Sequence, residues 1–591
     1  MTATLFHDVD HRTLAKILSE TADCSPASYL TAATPAAKAA IRARARRSSL
    51  WRRLDQLNAA APIPVLRRSA YRDYQRCGRR DRWETPNLAR RARLDDASMA
   101  LWLDHPRADL DHVQDLLWTI CEDWTWVMPA HESLSVDLGS VMCARLLAET
   151  VMLHRSLLEA EVIARVTTLI DERIWSRVCD PARTLWWRTV DTNWNLVCWG
   201  DTIRSALCLI DDPQRLANIL HPAVSALNYG IAGFTADGGC VEGPGYWDYG
   251  FGFFARAALA LHQRTAGRIN LLDNESCRRI ARFPLAASLR GKERALFADC
   301  RSGFISSETA LAINALCPTP ELLAFCKADP SGRLDCHSLH DLALSDGRPL
   351  PHPPDVHDAL LPDLGLAKLQ GRPGRSQLTL FCLGGHNGVP HNHNDLGSFV
   401  LYRGLRDLLT DPGGPRYTRD TFGPKRYDNV YCSADGHSVP VVNGVRQEVG
   451  SEYRATVTTV VEERLKTATV DLSAAYPKRA GLRSFHRTFR LDAKANHLEL
   501  EDVFAFSRQP RSLECRFISL DRVRITKRGR QVLIGDGAAR IVLSTTVAGR
   551  FSVEVLAAEA KANGKDQVIS RISFIPARLA RETTLRFSIS I

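Results

Sequence analysis

The sequence predicts a multidomain α+β protein: an N-terminal (α/α) helical toroid followed by a C-terminal antiparallel β-sheet or β-sandwich domain. Three observations carry this expectation. Apolar residues recur at helical spacing in the first half, they alternate with polar residues in the last third, and a proline-rich stretch separates the two patterns. At 591 residues the chain exceeds one ordinary domain, and its 45% apolar content is enough for a large core.

The helical reading is clearest over Val141–Ile170. There Leu146, Leu147, Val151, Leu157, Leu158, Val162, Val166 and Leu169 form an apolar stripe with Glu, Arg and His between them. Asp171–Val178, Asp201–Ile210, Pro213–Leu220 and Gly252–Thr265 repeat the pattern. Many medium helices with short polar connections suggest an array or toroid, and the lack of a fixed-period repeat argues against a strict solenoid. Between Leu342 and Ser376, Pro349, Pro351, Pro353, Pro354, Pro362 and Pro373 interrupt regular structure. The expected organisation is therefore a helical domain over 1–345, a linker over 346–376 and a β domain over 377–591. In the last part Phe551, Val553 and Val555 alternate with polar residues, as do Leu585, Phe587, Ile589 and Ile591. Tyr453–Val461 and Ser484–Phe504 also read as strands.

Composition narrows the function classes. A formal charge of +11 suggests an anionic partner, although the basic residues are scattered and a solvated surface accounts for much of the excess. The densest cluster, Arg42, Arg44, Arg46 and Arg47, reads as an exposed helix face rather than a nucleic-acid arm. Met1–Glu20 lacks a basic start followed by an apolar run, and no segment is long and apolar enough for a membrane span. The 16 cysteines are dispersed without a C-x-x-C pair, which suits reduced thiols. A cytoplasmic location is expected, or a periplasmic one if a leader has been removed.

Three segments could carry chemistry. The first is His391-Asn392-His393-Asn394-Asp395, ahead of the strand-like Leu396–Tyr402. On an extended chain His391 and His393 would face one side, either sharing a metal or dividing between metal and substrate. The segments around Asp411 and His437 could complete a zinc-type set of His, Asp and His. The second is the glycine-rich stretch Asp237–Gly250, whose composition predicts a tight loop presenting Glu242, Tyr246, Trp247 and Tyr249. The third is Asn193-Trp194-Asn195, where the asparagines either cap a helix or bind a carboxylate. All 12 tryptophans lie at or before Trp247; Trp124, Trp126, Trp194 and Trp247 flank irregular segments and are the better platforms for sugar rings.

Taken together and in this order, these segments resemble the heparinase II/III-like polysaccharide lyases, and the resemblance covers most of the chain. Glu242-Gly243-Pro244-Gly245-Tyr246-Trp247, the Thr410–Gly414 turn and Ser433–Gly444 belong to it as well. It implies a carboxylate-binding role for Asn193, a catalytic tyrosine at Tyr246 and a catalytic histidine at His391. It also implies zinc held by His393, Asp411 and His437 in a structural role, with no organic cofactor. Some members have histidine beside the catalytic asparagine, where this chain has Trp194. Some add a tyrosine from the β domain, for which Tyr427 and Tyr431 are the alternatives here.

The implied reaction is β-elimination from a uronate. The C5 proton is removed, the C4 oxygen leaves, and charge develops on the carboxylate, so a donor such as Asn193, aided by His391 or Arg426, must bind there. Tyr246 alone would serve a syn elimination; His391 as base with Tyr246 as acid would serve an anti one. Asn195, Glu242, Trp247, Tyr249, Arg426, Tyr427 and Trp126 are the expected substrate contacts. The expected partner is an acidic poly- or oligosaccharide such as a glycosaminoglycan, alginate or exopolysaccharide, with neither nucleic acid nor membrane implied and a homodimer left open. The alternatives are a helical-barrel glycoside hydrolase acting on uronides through Asp237 and Glu242, and a non-catalytic acidic-glycan-binding protein.

Overall fold

The computed structural model describes residues 9–289, 295, 297–300, 303–352, 357–526 and 529–591. Pro353, Pro354 and the start of the N-terminal stretch, residues 1–8, lie outside the described residues. The chain divides into two compact units. The first comprises Met1–Phe234, Trp247–Ala281 and Ile305–His352; the second comprises Thr235–Tyr246, Arg282–Phe304 and Pro353–Ile591.

The first unit is the helical half of the expected fold class. Helix ends follow local signals. Asp137 accepts a hydrogen bond from Ser140 N, and Ser140 Oγ accepts one from Asp137 N, a capping box that starts helix Leu138–His154. Asp212 caps helix Pro213–Ile231, with Pro213 in the first turn. Between these two packs helix Asn193–Leu209, in which every residue from Leu196 to Leu207 is buried. A helix enclosed on all sides must pair its polar groups. Arg204 Nη2 therefore donates to Glu149 Oε1 at 2.6 Å, and Arg145 Nη1 to Glu149 Oε2 at 2.9 Å. The segment read from Asp201 is thus the middle of a longer helix. Among the described residues no helix is long and apolar enough to cross a membrane.

Among the described residues the second unit holds three antiparallel sheets. The largest has nine strands, in spatial order Val523–Thr526, Gln531–Ile534, Ile541–Ser544, Glu582–Ser590, His497–Phe506, Leu482–Asp492, Leu465–Ala474, Gly450–Val461 and Gly385–Asn387. A five-stranded sheet runs Ala359–Leu361, Leu366–Gln370, Leu378–Leu383, Phe399–Arg403, Arg406–Leu409. A four-stranded sheet runs Gly549–Val555, Ser570–Pro576, Leu513–Ser519, Val441–Val442. All three contribute to one core, with Leu380 and Phe399 from the second, Phe485 and Phe504 from the first, and Phe517 and Phe574 from the third. The alternation seen in the sequence is the burial pattern of Glu582–Ser590, where Leu585, Phe587 and Ile589 face inward.

Two details of chain organisation arise only in three dimensions. Strands Ala359–Leu361 and Leu366–Gln370 lie within the proline-rich stretch and pair with each other, since Pro362 occupies the turn and leaves the leucines free to enter a sheet. Thr235–Tyr246 and Arg282–Phe304, from the helical half of the sequence, belong to the β unit.

Candidate active site and metal cluster

The β unit presents its polar cluster on irregular segments held by the sheets beneath. Arg487, on strand Leu482–Asp492, is fully buried against Asp502, with Nε and Nη2 each 2.8 Å from a carboxylate oxygen. Its Nη1 donates to Gly397 O at 2.8 Å and to Ser438 O at 2.6 Å, tying down the loops that carry His393 and His437. Gln447 clamps the same turn, accepting from Leu396 N at 2.9 Å and donating to Leu396 O at 2.7 Å. The His391–Asn394 segment is therefore a turn and not the extended chain expected. His391 sits at φ 58, a left-handed conformation uncommon outside glycine and concentrated at functional positions.

That kink brings both histidines to one carboxylate. Asp299 has a fully buried side chain; its Oδ2 lies 2.8 Å from His391 Nδ1 and its Oδ1 3.0 Å from His393 Nε2. Tyr417 OH donates to Asp299 Oδ2 at 3.0 Å, and Arg426 Nη2 reaches both oxygens at 3.1 Å. Burial opposes ionisation of Asp299, but the hydrogen bonds from His391 and His393 and the charge of Arg426 outweigh it and hold the carboxyl far below its ordinary range. The Tyr246 ring stacks on the His391 ring with centroids 4.0 Å apart, and Tyr246 OH is 2.6 Å from Tyr417 OH. Burial raises the pKa of Tyr246, and burial together with the charge of Asp299 raises that of Tyr417, so both phenols keep their protons at neutral pH. On the other side of the imidazole, Glu242 Oε2 lies 3.6 Å from His391 Nε2. Phe422, 57% exposed, meets His391 edge-on at 5.4 Å and offers an apolar face beside that ring.

The second cluster adjoins the first. His437 Nε2 lies 3.2 Å from Tyr431 O, and His393 Nε2 is on Asp299. With hydrogens on those nitrogens, both Nδ1 atoms are lone pairs. They face Asp411 Oδ2 at 3.1 Å from His437 and 4.0 Å from His393. These three atoms are buried and no hydrogen bond satisfies them. Ligands about 2.0–2.1 Å from a zinc-sized ion stand about 3.3 Å from one another, so the set fits a metal ion. Asp395 lies in the same group, within 4.8 Å of the other ligand atoms. His393, Asp411 and His437 can thus hold a metal, and Asp299 and Tyr431 O orient the two imidazoles.

Tyr246, His391 and Glu242 from the sequence reading therefore come together, as do His393, Asp411 and His437. The loop expected over Asp237–Gly250 ends earlier: Gly243, at φ 95, makes the turn, and Pro244 opens the helix that carries Tyr246 in its first turn. Trp126 and Trp247 do not form sugar platforms. Each is 1% exposed, and each indole donates to a backbone carbonyl, Ile120 O and Ile280 O respectively. Asn195 is likewise core, its amide held by Arg188 O at 2.7 Å. Arg426 has its donors occupied by Asp299, Asn392 O and Thr421 O, so it buttresses the site rather than presenting a free guanidinium. Tyr427 hydrogen-bonds Asn392 Oδ1, and Tyr431 is fully buried against Gln567; the tyrosine beside Tyr246 is Tyr417.

Asp237 is a loop clip, accepting from Thr235 Oγ1 and from Gly239, Asp363 and Leu364 N, and is not one of a free carboxylate pair. In the helical unit, Asn193 is the first residue of its helix and Thr192 the cap, so neither asparagine caps. A Cβ at Gly250 would come 3.2 Å from Asn193 Cβ, so a larger residue there would push the neighbouring helix away by a few tenths of an ångström. Tyr249 is half-buried, its hydroxyl 3.9 Å from Met142 sulfur. Trp124 remains exposed at 54%, and Trp194 packs with Trp186, itself 44% exposed. Sequence reasoning missed Asp299 and Tyr417. Tyr417 had a weak signal, six residues after Asp411 behind a Gly-Gly-Pro turn; Asp299 had none.

Residues 353–588 match the family model described as Heparinase II/III-like, C-terminal. The chain carries a heparinase II/III-like domain. Solved structures align with that domain and the helical unit together. The crystal structure of Heparinase III has a TM-score of 0.62 at 11% identity, covering 91% of this chain and 88% of its own. Heparan sulfate lyase HepC from Pedobacter heparinus gives 0.58 at 12%, covering 99% and 88%. A chondroitin AC lyase mutant from Streptomyces coelicolor A3 gives 0.55 at 12%, covering 98% and 82%. At these identities the likeness is one of fold: a helical toroid followed by antiparallel sheets. No curated protein sequence matches the chain.

Proposed function

We propose that the protein is a polysaccharide lyase that cleaves a uronate-containing acidic glycan by β-elimination. The observation that carries this reading is the stack of Tyr246 on His391, with Asp299 at His391 Nδ1 and Tyr417 at the Tyr246 hydroxyl. It is supported by the heparinase II/III-like domain match and by a net charge of +11 that would attract a polyanion.

The protons balance as follows. His391, with Nδ1–H on Asp299, offers the Nε2 lone pair to the C5 proton of the uronate. The imidazolium that forms lies between the Asp299 and Glu242 carboxylates. The C5–H electron pair forms the C4–C5 double bond as the C4–O bond breaks. Tyr246, protonated at rest, gives its proton to the departing oxygen. Asn193 is proposed as the carboxylate donor on the motif resemblance, a contribution of about 2.7–4 kcal/mol to the barrier. Phe422 is the proposed stacking contact for a sugar ring. Zinc is proposed for His393, Asp411 and His437, where it would supply cross-linking of the loops and no step of the reaction.

The resemblance assigns His391 as base with Tyr246 as acid to an anti elimination, but here the two rings are stacked, so base and acid approach one face of the sugar and the proposed elimination is syn. Syn geometry requires C5–H and C4–O on the same face. Glucuronate and mannuronate units meet this; their C5 epimers, iduronate and guluronate, do not. The test is a panel of such glycans followed by ultraviolet absorbance of the unsaturated product, with wild type and Tyr246→Phe. Product from glucuronate or mannuronate polymers, lost in the variant, is expected. Preference for the C5 epimers refutes the syn geometry; new reducing ends without ultraviolet absorbance, or full activity in Tyr246→Phe, refute the lyase.

A further inference from the structure

The metal cluster and the reacting pair share one side chain. Asp299 accepts from His393 on Oδ1 and from His391 and Tyr417 on Oδ2, while Arg426 bridges both oxygens. We propose that Asp299 is a positioning residue that couples the metal site to the active site, so that turnover depends on a metal that touches no substrate.

The coupling follows from imidazole chemistry. Each ring has one hydrogen to place between two nitrogens, and a carboxylate at one nitrogen draws it there. On His393 this puts the hydrogen on Nε2 and turns the Nδ1 lone pair toward Asp411 and His437. On His391 it puts the hydrogen on Nδ1 and leaves Nε2 as base. The same carboxylate thus sets opposite tautomers on two histidines two residues apart. It can do so because it offers an acceptor on both oxygens. An amide cannot: its NH2 would face one histidine and force that ring to accept, giving either a poorer metal ligand or a base without its lone pair outward. With the metal in place His393 is anchored, and its hydrogen bond restrains the Oδ1 side of Asp299. Without it His393 keeps its bond to Asp299 but loses its own anchor, so the orientation of Asp299, and with it that of His391, loosens.

The activity arm of this inference rests on the lyase reading; the metal-affinity arm does not. The experiment uses the full chain as wild type, Asp299→Asn and His391→Ala, with zinc affinity read by chelator competition, kcat and KM from ultraviolet absorbance, and circular dichroism to check folding. Asp299→Asn should bind zinc about 10–100-fold more weakly and lose about 100-fold or more in kcat, with KM within about threefold. His391→Ala should retain zinc affinity within about threefold, since the Asp299–His393 bond is intact. Zinc-stripped wild type should lose at least about tenfold in kcat and recover it on zinc addition. A folded Asp299→Asn variant that shows only one of the two losses, or neither, overturns the coupling. If that variant does not fold, the stripped wild type decides: unchanged kcat overturns the proposal. If wild type makes no unsaturated product from any uronate glycan, the lyase reading fails, and the zinc affinities of wild type and Asp299→Asn still test the role of Asp299.

Discussion

The role of Tyr417 can be tested by a double-mutant cycle with Tyr246. Its hydroxyl lies 2.6 Å from Tyr246 OH and 3.0 Å from Asp299 Oδ2. Tyr417→Phe removes one hydrogen bond to an ionised carboxylate, worth roughly 1.5–3 kcal/mol, and takes the Tyr417 hydroxyl away from Tyr246 OH. If that energy is expressed in the transition state, kcat falls by about 10–150-fold. Tyr246→Phe removes the proton donor itself and should cost about 10²–10⁴-fold. If Tyr417 acts through Tyr246, the two losses do not multiply: in the Tyr246→Phe background, Tyr417→Phe should cost less than about threefold. The assay is initial velocity by ultraviolet absorbance at saturating glucuronate oligosaccharide, with thermal melts to exclude unfolding. An equal factor for Tyr417→Phe in both backgrounds would show that Tyr417 acts independently of Tyr246.

Four further outcomes are expected. Arg487→Met leaves Asp502 buried and unpaired and frees Gly397 O and Ser438 O, so urea unfolding should show a loss of about 3–5 kcal/mol, partly recovered in Arg487→Met with Asp502→Leu; a loss under about 1 kcal/mol would contradict the packing described. Burial lowers the pKa of Lys368 from 10.5 to about 7, so the unfolded chain binds the extra proton between those values and the penalty is full below about 7 and relieved as pH rises. The stability advantage of Lys368→Met over wild type should therefore shrink by roughly 2 kcal/mol from pH 7 to 9 in parallel denaturant titrations, and a pH-independent gap would exclude this linkage. Asp237→Asn should leave lyase kcat within about threefold, because Asp237 clips a loop; loss of all activity would revive the carboxylate-pair hydrolase. Phe422→Ala should raise KM about tenfold with kcat little changed, a split that an altered kcat alone would contradict.

The fold class and much of the site were legible in the sequence because their signals are local. Helical periodicity over Val141–Ile170 and alternation over Leu585–Ile589 report which face of an element meets a core; the second matches the structure, and the first does so on either side of a turn that splits it into Leu138–His154 and Ala160–Ile170 and leaves Leu157 exposed. The His391–His393 pair, Asp411, His437 and Tyr246 stand in short segments rich in glycine and polar residues, where a side chain has little packing role to hide behind. The tryptophans misled for the same reason in reverse. Trp126 and Trp247 flank irregular segments, yet a large apolar ring beside a helix end is drawn into the core, and its N–H needs only one carbonyl.

What tertiary structure alone decided is which distant groups meet. Asp299 lies 92 residues from His391 in sequence, within an unremarkable Phe-Ala-Asp-Cys stretch, and becomes the centre of the site because the chain returns it to the β unit. Tyr417 rather than Tyr427 or Tyr431 faces Tyr246 because the turn after Asp411 aims it there, and no periodicity encodes that direction. Residue type and spacing determine which face an element buries and which chemistry a segment could offer. Which carboxylate a histidine donates to depends on the path of the whole backbone, and a single sequence does not carry that information in any local window.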